Sequence, residues 1–198
     1  MDRHQWDERY ASRELVWSAE PNVFVAEVAG PLPPGRALDV ACGEGRNAIW
    51  LATRGWRVTA IDFSAVAIGK ARRLAEAAGV AVDWLCDDVL AWQPLPENFE
   101  LVLLSYLQLP AGDMAAVVGR AATALVPGGA LLLVGHARAN LAGGVGGPQD
   151  PSVLYEPGEA AAWAGQLEVA RAEHVYRSVD TPEGPRRAID TLVVAVRR

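Results

Sequence analysis

The chain has only two cysteines, Cys42 and Cys86, in 198 residues. They could form one bridge at most, and both sit within or beside apolar runs, which favours two reduced, largely buried thiols. No uninterrupted apolar stretch approaches the roughly 18 residues that a membrane span needs. No basic-then-apolar leader opens the chain, since Met1-Asp2-Arg3-His4-Gln5-Trp6 is polar and mixed. Basic charge is also in deficit: 18 Lys and Arg against 24 Asp and Glu give a formal net charge of −6. That balance suits neither a nucleic-acid backbone, which needs clustered cations, nor a protein built to coat one. There is no internal repeat. The expectation is a soluble, cytoplasmic protein, monomer or homodimer, with no nucleic acid and no membrane as partner.

What is present is a globular balance, 51% hydrophobic and 21% charged. The length suits a single domain over 1–198 with a sizeable core. Residues 1–35 read as a helical cap. Trp6 and Tyr10 share one face of a short helix over 2–11. Pro21 reads as a first-turn proline ahead of an apolar stripe at Val23, Phe24 and Val28, and the proline-rich stretch 30–35 ends that helix.

From Arg36 to His136 strand and helix patterns alternate. Strands are expected at 37–41, 56–61, 80–86, 99–105 and 130–134, with helices at 46–54, from an N-cap at Ser64 to Gly79, and at 111–125. This succession is the mark of a parallel sheet covered by helices. Residues 137–198 differ. A glycine-rich loop at 143–147 reads either as a plain connector or as a lid, and a short helix is expected at 157–164. Two strand-like runs, 167–176 and 188–196, are joined too closely for a crossover helix, so they should pair antiparallel at one edge.

The chain is organised around Arg36-Ala37-Leu38-Asp39-Val40-Ala41-Cys42-Gly43-Glu44-Gly45: an apolar strand carrying an acid, a small-residue turn, then a helix start at Arg46. Such a turn brings backbone N–H groups and a helix N-terminus against a ligand. In an open α/β sheet, ligands bind beyond the carboxyl ends of the strands. Three acids sit at or near those ends: Asp39, Asp62 and Asp88. Asp62 lies 17 residues past Gly45, near the offset at which a carboxylate accepts from both ribose hydroxyls. Gly43-x-Gly45-x-x-Ala48 loosely fits a dinucleotide fingerprint. Asp39, however, would be poor company for a pyrophosphate and is acceptable beside a cationic ligand.

Leu38-Asp39-Val40-Ala41-Cys42-Gly43-Glu44-Gly45, then Val58-Thr59-Ala60-Ile61-Asp62-Phe63-Ser64, then Cys86-Asp87-Asp88-Val89, resembles the class I S-adenosylmethionine-dependent methyltransferases over most of residues 36–136. Within them the chain is similar to small bacterial enzymes of the tellurite-resistance and thiopurine type. Trp6-Asp7-Glu8-Arg9-Tyr10 with the later Trp17, the Gly43-Glu44-Gly45-Arg46-Asn47 turn and the closing Ala188-Ile189-Asp190 strand carry that likeness. The resemblance implies an α/β, Rossmann-like, doubly wound sheet of about seven strands, mostly parallel, with an antiparallel C-terminal hairpin and helices on both faces. One departure is Ala41, where the family often has glycine.

The resemblance also implies roles. Gly43 and Gly45 pass under S-adenosyl-L-methionine, with the backbone of Ala41 and Cys42 beside them. Asp39 fixes the turn or the cofactor's amino-acid end, or simply caps backbone N–H groups. Arg46 pairs with the cofactor carboxylate or merely starts its helix. Asp62 takes the ribose with Phe63 beside the adenine, and Asp88 accepts from the adenine amino group with Val89 packed on the ring. Ser105 and Tyr106 leave their strand where the methyl group points. Trp17, with Trp6 and Tyr10, covers the site or only the cap's own core.

His136, just past the fifth core strand, is a candidate general base near neutral pH, and Tyr106 a second catalytic candidate. No metal ligands are expected. The reading is in-line methyl transfer to a small-molecule acceptor through an S, Se/Te, O or N nucleophile in a water-excluded cleft. A nicotinamide-dependent oxidoreductase and a non-catalytic S-adenosylmethionine binder are the alternatives.

Overall fold

A computed structural model describes residues 2–198. Apolar β-branched and leucine-rich runs at Arg36–Val40 (β1), Arg57–Asp62 (β2), Asp83–Cys86 (β3), Phe99–Ser105 (β4) and Leu125–His136 (β5) form parallel strands. Glu168–Thr181 (β6) and Gly184–Val196 (β7) complete one seven-stranded sheet in the order β3-β2-β1-β4-β5-β7-β6. β7 runs antiparallel to both β5 and β6. The expected doubly wound, mostly parallel architecture with an antiparallel terminal hairpin is what forms.

The helices are Arg3–Ala11 (α1), Val23–Ala29 (α2), Arg46–Thr53 (α3), Ala65–Ala77 (α4), Ala111–Ala124 (α5), Asn140–Gly143 (α6) and Pro157–Trp163 (α7). Two apolar layers hold them to the sheet. On one face Met114, Val117, Val118 and Ala121 of α5 and Ala160 of α7 pack on Leu38, Val102, Leu104 and Leu131. On the other, Phe24 and Val25 of α2 and Ala48 and Leu51 of α3 pack on Ala37, Ala60, Leu101, Leu103 and Leu132. The central strands read as continuous apolar runs because both of their faces are covered.

Local chemistry sets most boundaries. The Ser64 hydroxyl accepts from Ala67 N–H at 3.1 Å and starts α4. Pro21 is not in the first turn of α2: Asn22 is the N-cap, its Oδ1 accepting from Phe24 and Val25 N–H, and Pro21 precedes it. Residues 80–82, expected in the third strand, instead close α4, with Val80 N–H bonded to Ala75 C=O. The terminal hairpin is longer than expected. Its pairing runs out to Thr181↔Gly184, so only Pro182 and Glu183 turn the chain.

Strand order reverses between β1 and β4, which lie side by side while their connections leave in opposite directions. The crevice beyond the C-terminal ends of these two strands is where such sheets bind ligands.

Candidate functional site

β1 delivers Asp39 and then the turn. Ala41 and Gly43 have φ of 58° and 57°, and Gly45, at 80°, is the left-handed N-cap of α3. Alanine therefore occupies a left-handed position that glycine takes without strain. Asp62, at the end of β2, locks the turn: one carboxylate oxygen accepts from Gly43 N–H at 2.8 Å, the other from Ser64 N–H at 2.9 Å. Burial pushes the Asp62 pKa up, while those two donors pull against it. The glycines do different jobs. A side chain on Gly45 would begin 2.5 Å from the Trp84 ring; one on Gly43 would begin 2.8 Å from the Tyr10 hydroxyl. Gly45 serves packing, and Gly43 faces the cap over the site.

Asp39 is fully buried and neither of its carboxylate oxygens has a hydrogen-bond donor. Burial, with Asp62 adding to it, pushes its pKa up to about 7, offset only in part by the Arg46 charge and by an Ala48 N–H that falls outside hydrogen-bond geometry. An orphaned buried carboxyl is costly unless something pairs with it. Arg46 lies among Tyr106, Asp39, Arg177 and Tyr10. Among the described residues its side chain makes one hydrogen bond, to Ser18 Oγ at 3.5 Å, and no carboxylate forms an ion pair with it. A buried acid and an unpaired arginine thus flank one turn, and a zwitterionic amino-acid group would satisfy both.

The cap is fastened to this turn by Glu44, which accepts from Val16 N–H at 3.0 Å and Trp17 N–H at 3.2 Å. Lys70 of α4 reaches Glu44 at 3.1 Å and the carbonyls of Tyr10 and Arg13 at 2.5 Å each. Asp7 of α1 accepts from the Ser64 hydroxyl at the N-terminus of α4. Tyr10 is buried; Trp17 is 39% exposed, with the Arg9 guanidinium 5.3 Å from its ring.

The far side of the crevice is built by β4, β5, β6 and β7. Tyr106, just past β4, has φ 59°, a strained value of the kind stored at functional sites. Its hydroxyl donates to Asp190 Oδ2 at 2.7 Å and accepts from Arg177 Nε at 3.0 Å. Arg177 Nε also lies 2.8 Å from Asp190 Oδ2. Asp190 Oδ1 lies 3.1 Å from His136 Nδ1, off the line of an ideal N–H···O bond. Burial alone would raise the Asp190 pKa, but His136, Arg177 and Tyr106 together hold it below the usual value. Burial and the Asp190 charge raise that of Tyr106, whose hydroxyl bridges Asp190 and Arg177. The Ser105 hydroxyl is buried without a partner.

The structure gathers Asp39, Ala41, Cys42, Gly43, Gly45, Arg46 and Asp62 at one turn, and Ser105, Tyr106 and His136 across the crevice from it. The Cys42 thiol packs against the core, and burial raises its pKa. Phe63 lies beneath the Arg3 guanidinium at 5.9 Å. Asp88 accepts from Leu90 N–H at 2.9 Å, which shapes the loop after β3, and Val89 packs against the apolar layer under α5. The 143–147 stretch is tied to β7 through Asn140, whose side chain donates to Gly146 C=O at 2.9 Å and accepts from Ile189 N–H at 2.8 Å.

Sequence reasoning passed over Glu44, Lys70, Arg177 and, as a site residue, Asp190. For Asp190 a signal existed: an acid inside an apolar strand must be paired.

Residues 37–129 match the family model described as a methyltransferase domain. Over 106 residues the chain is 38% identical to a ubiquinone biosynthesis O-methyltransferase of Xylella fastidiosa, a stretch covering 52% of this chain and 42% of that protein. Over 107 residues it is 33% identical to a ribosomal RNA small subunit methyltransferase C of Chromohalobacter salexigens, covering 52% and 32%. The matched stretch thus spans less than half the length of these relatives. TehB from Haemophilus influenzae shares the fold with a TM-score of 0.76 at 19% identity, over 97% of this chain and 67% of that one. A structure described as the conversion of a disulfide bond into a thioacetal group during echinomycin biosynthesis does so with a TM-score of 0.78 at 21% identity, over 98% and 91%.

Proposed function

We propose that the protein is a class I S-adenosylmethionine-dependent methyltransferase, a reading supported by the match of residues 37–129 to a methyltransferase domain, and that it methylates a small-molecule acceptor with S-adenosyl-L-methionine, releasing S-adenosylhomocysteine. The observation that carries this reading is Asp39. A fully buried carboxyl with no donor, beside a turn of left-handed residues at the strand-order reversal, calls for a cationic nucleoside. It argues against the pyrophosphate of a nicotinamide dinucleotide.

The residues fit that cofactor. Asp39 and Arg46 would take its ammonium and carboxylate. Asp62, whose oxygens each keep a free lone pair after binding Gly43 and Ser64, would take the ribose. Asp88, Val89 and Phe63 would border the adenine. When bound, S-adenosylmethionine supplies a methyl carbon activated by a sulfonium. The chain's own task is then positioning: Gly43 under the cap, Tyr10 and Trp17 above it, and Ser105 and Tyr106 facing the acceptor. Holding the reactants in line in a dry cleft can be worth roughly 7–11 kcal/mol. The acceptor side opens toward Tyr106 and His136, and a nucleophilic S, Se/Te, O or N atom would enter there. The charge of −6 supports a small molecule over RNA. Among the described residues no helix is long and apolar enough to cross a membrane, and we place the reaction in the cytoplasm.

Calorimetry with S-adenosylhomocysteine and NAD side by side tests the reading. Binding of the first alone supports it; tight binding of NAD with no response to S-adenosylhomocysteine overturns it. A panel of thiols, chalcogen oxyanions, phenols and amines, scored for S-adenosylhomocysteine release, separates an enzyme from a binding protein.

A further inference from the structure

His136 and Asp190 stand opposite one another in the β5–β7 register. Asp190 is completely buried, and its two oxygens are divided between different partners. Oδ2 is committed to the Tyr106 hydroxyl and Arg177 Nε. Oδ1 lies 3.1 Å from His136 Nδ1, at ion-pair distance but off the line of an ideal hydrogen bond. An ionised carboxylate oxygen cannot donate, so at that distance the negative charge favours an N–H on Nδ1 over a second lone pair there. The other ring nitrogen, Nε2, makes no hydrogen bond among the described residues, and the side chain keeps 12% of its surface exposed. The ring is held on its remaining sides as well. The Tyr106 ring lies 4.8 Å away centroid to centroid, and Gly147 backs the imidazole so closely that a side chain there would begin 2.8 Å from it.

We infer that Asp190 is a positioning residue that keeps His136 protonated on Nδ1 and open on Nε2, and that the acceptor is therefore a weakly acidic O–H or S–H nucleophile that enters carrying its proton. This rests on the methyl-transfer reading. An acceptor already ionised in water would need no such base; a phenol or aliphatic thiol does, because its neutral form is the poorer nucleophile. The acceptor's proton passes to His136 Nε2, and the freed lone pair on oxygen or sulfur forms the bond to the methyl carbon. The electrons of the breaking carbon–sulfur bond return to sulfur, leaving a neutral thioether. The imidazolium then gives its proton to solvent. Around His136 the charged and titratable groups are Asp190 from β7, Arg177 from β6 across that carboxylate, and Tyr106 following β4. Arg177 is tied to Asp190, so Asp190 is not free to take the proton itself.

Two measurements on the full chain test this. With histidines labelled in 13C and 15N and His136 assigned through His136→Gln, the Cδ2 and ring-nitrogen shifts of the neutral imidazole should report the Nδ1–H tautomer. In Asp190→Asn, whose amide can donate to Nδ1, they should move toward Nε2–H. An Nε2–H tautomer in the wild-type protein overturns the inference. Where Asp190→Asn fails to fold, the wild-type tautomer still decides.

The second measurement uses benzyl mercaptan, catechol and a series of thiophenols of graded acidity. His136→Gln should lower kcat at least 100-fold on probes protonated at the assay pH, with KM little changed. The loss should be at least tenfold smaller on thiophenols already ionised, and thiol and phenol probes separate the two sources of acceptor. An equal loss across the series overturns the inference while leaving methyl transfer intact. Failure to bind S-adenosylhomocysteine instead sinks the reading beneath it.

Discussion

Lys70 Nζ and Glu44 Oε1 lie 3.1 Å apart in a nearly closed space, with side-chain exposures of 12% and 4%. Lys70 is the one lysine in the chain. The pair joins three parts of the protein: the middle of the Gly43-Glu44-Gly45 turn, α4, and the cap, whose carbonyls at Tyr10 and Arg13 share the ammonium. The cap is therefore held by charge at the turn it covers.

Removing one member of a buried pair strands the other, at a general cost of about 3–5 kcal/mol. Lys70→Met should destabilise the protein by roughly that amount in urea titrations. It should also expose residues 12–20 to protease under native conditions. Lys70→Arg should recover part of the loss, and in Glu44→Gln/Lys70→Met the combined loss should be smaller than the sum of the single ones. A Lys70→Met protein as stable and as protease-resistant as wild type would show that the cap is held by packing alone.

Asp39 gives the fold a pH dependence of known sign. Its folded-state pKa of about 7 lies above the ordinary 3.8, so between those values the folded chain keeps a proton that the unfolded chain releases. The contribution is full below about pH 4 and is lost as pH rises toward 7. Asp39→Asn should flatten that limb of the stability profile. A ligand whose ammonium meets the ionised carboxylate should also expel a proton when it binds near pH 6. Calorimetry of S-adenosylhomocysteine in two buffers of different ionisation enthalpy reads this directly. Binding with no proton release would mean that Asp39 does not meet the ligand's cation.

The alternation of apolar runs and helical stretches made the sheet legible, because period and turn chemistry are local properties. The reversed hairpin followed from the short link between its strands. The extra strand length to Thr181 and Gly184 did not, since polar residues on an exposed edge strand leave no alternation to read. At the site, Asp39, Gly43, Gly45 and Asp62 were legible as a spacing. The Glu44–Lys70 and Tyr106–Asp190 contacts join positions 26 and 84 residues apart, and no local pattern specifies such pairs. Gly45 was legible as a glycine, but not for its reason, which lies in a tryptophan on another strand.

Ala41 adopts φ 58° where glycine would carry no side-chain penalty. A left-handed backbone costs an alanine roughly 1–2 kcal/mol, and glycine's extra freedom in the unfolded chain returns up to about 1 kcal/mol of that. Ala41→Gly should therefore stabilise the protein slightly, by about 0.5–1 kcal/mol in urea titrations. A destabilisation of that size would place Ala41 in the ordinary right-handed or extended region.

Gly45→Ala separates backbone from packing. The new Cβ would lie 2.5 Å from Trp84 Cη2, 2.9 Å from Cζ3 and 3.1 Å from the Ala71 Cβ, at φ 80°. The left-handed backbone costs roughly 1–2 kcal/mol and the overpacking roughly 1–3 kcal/mol more, for a total loss of about 2–5 kcal/mol. Trp84→Leu removes the ring that the methyl meets first, so in that background the same substitution should cost only the backbone share and the small adjustment at Ala71. A double-mutant cycle in urea should then give a coupling of about 1–3 kcal/mol between positions 45 and 84. Zero coupling would mean that Trp84 does not press on the turn, and that the need for glycine there comes from backbone conformation alone.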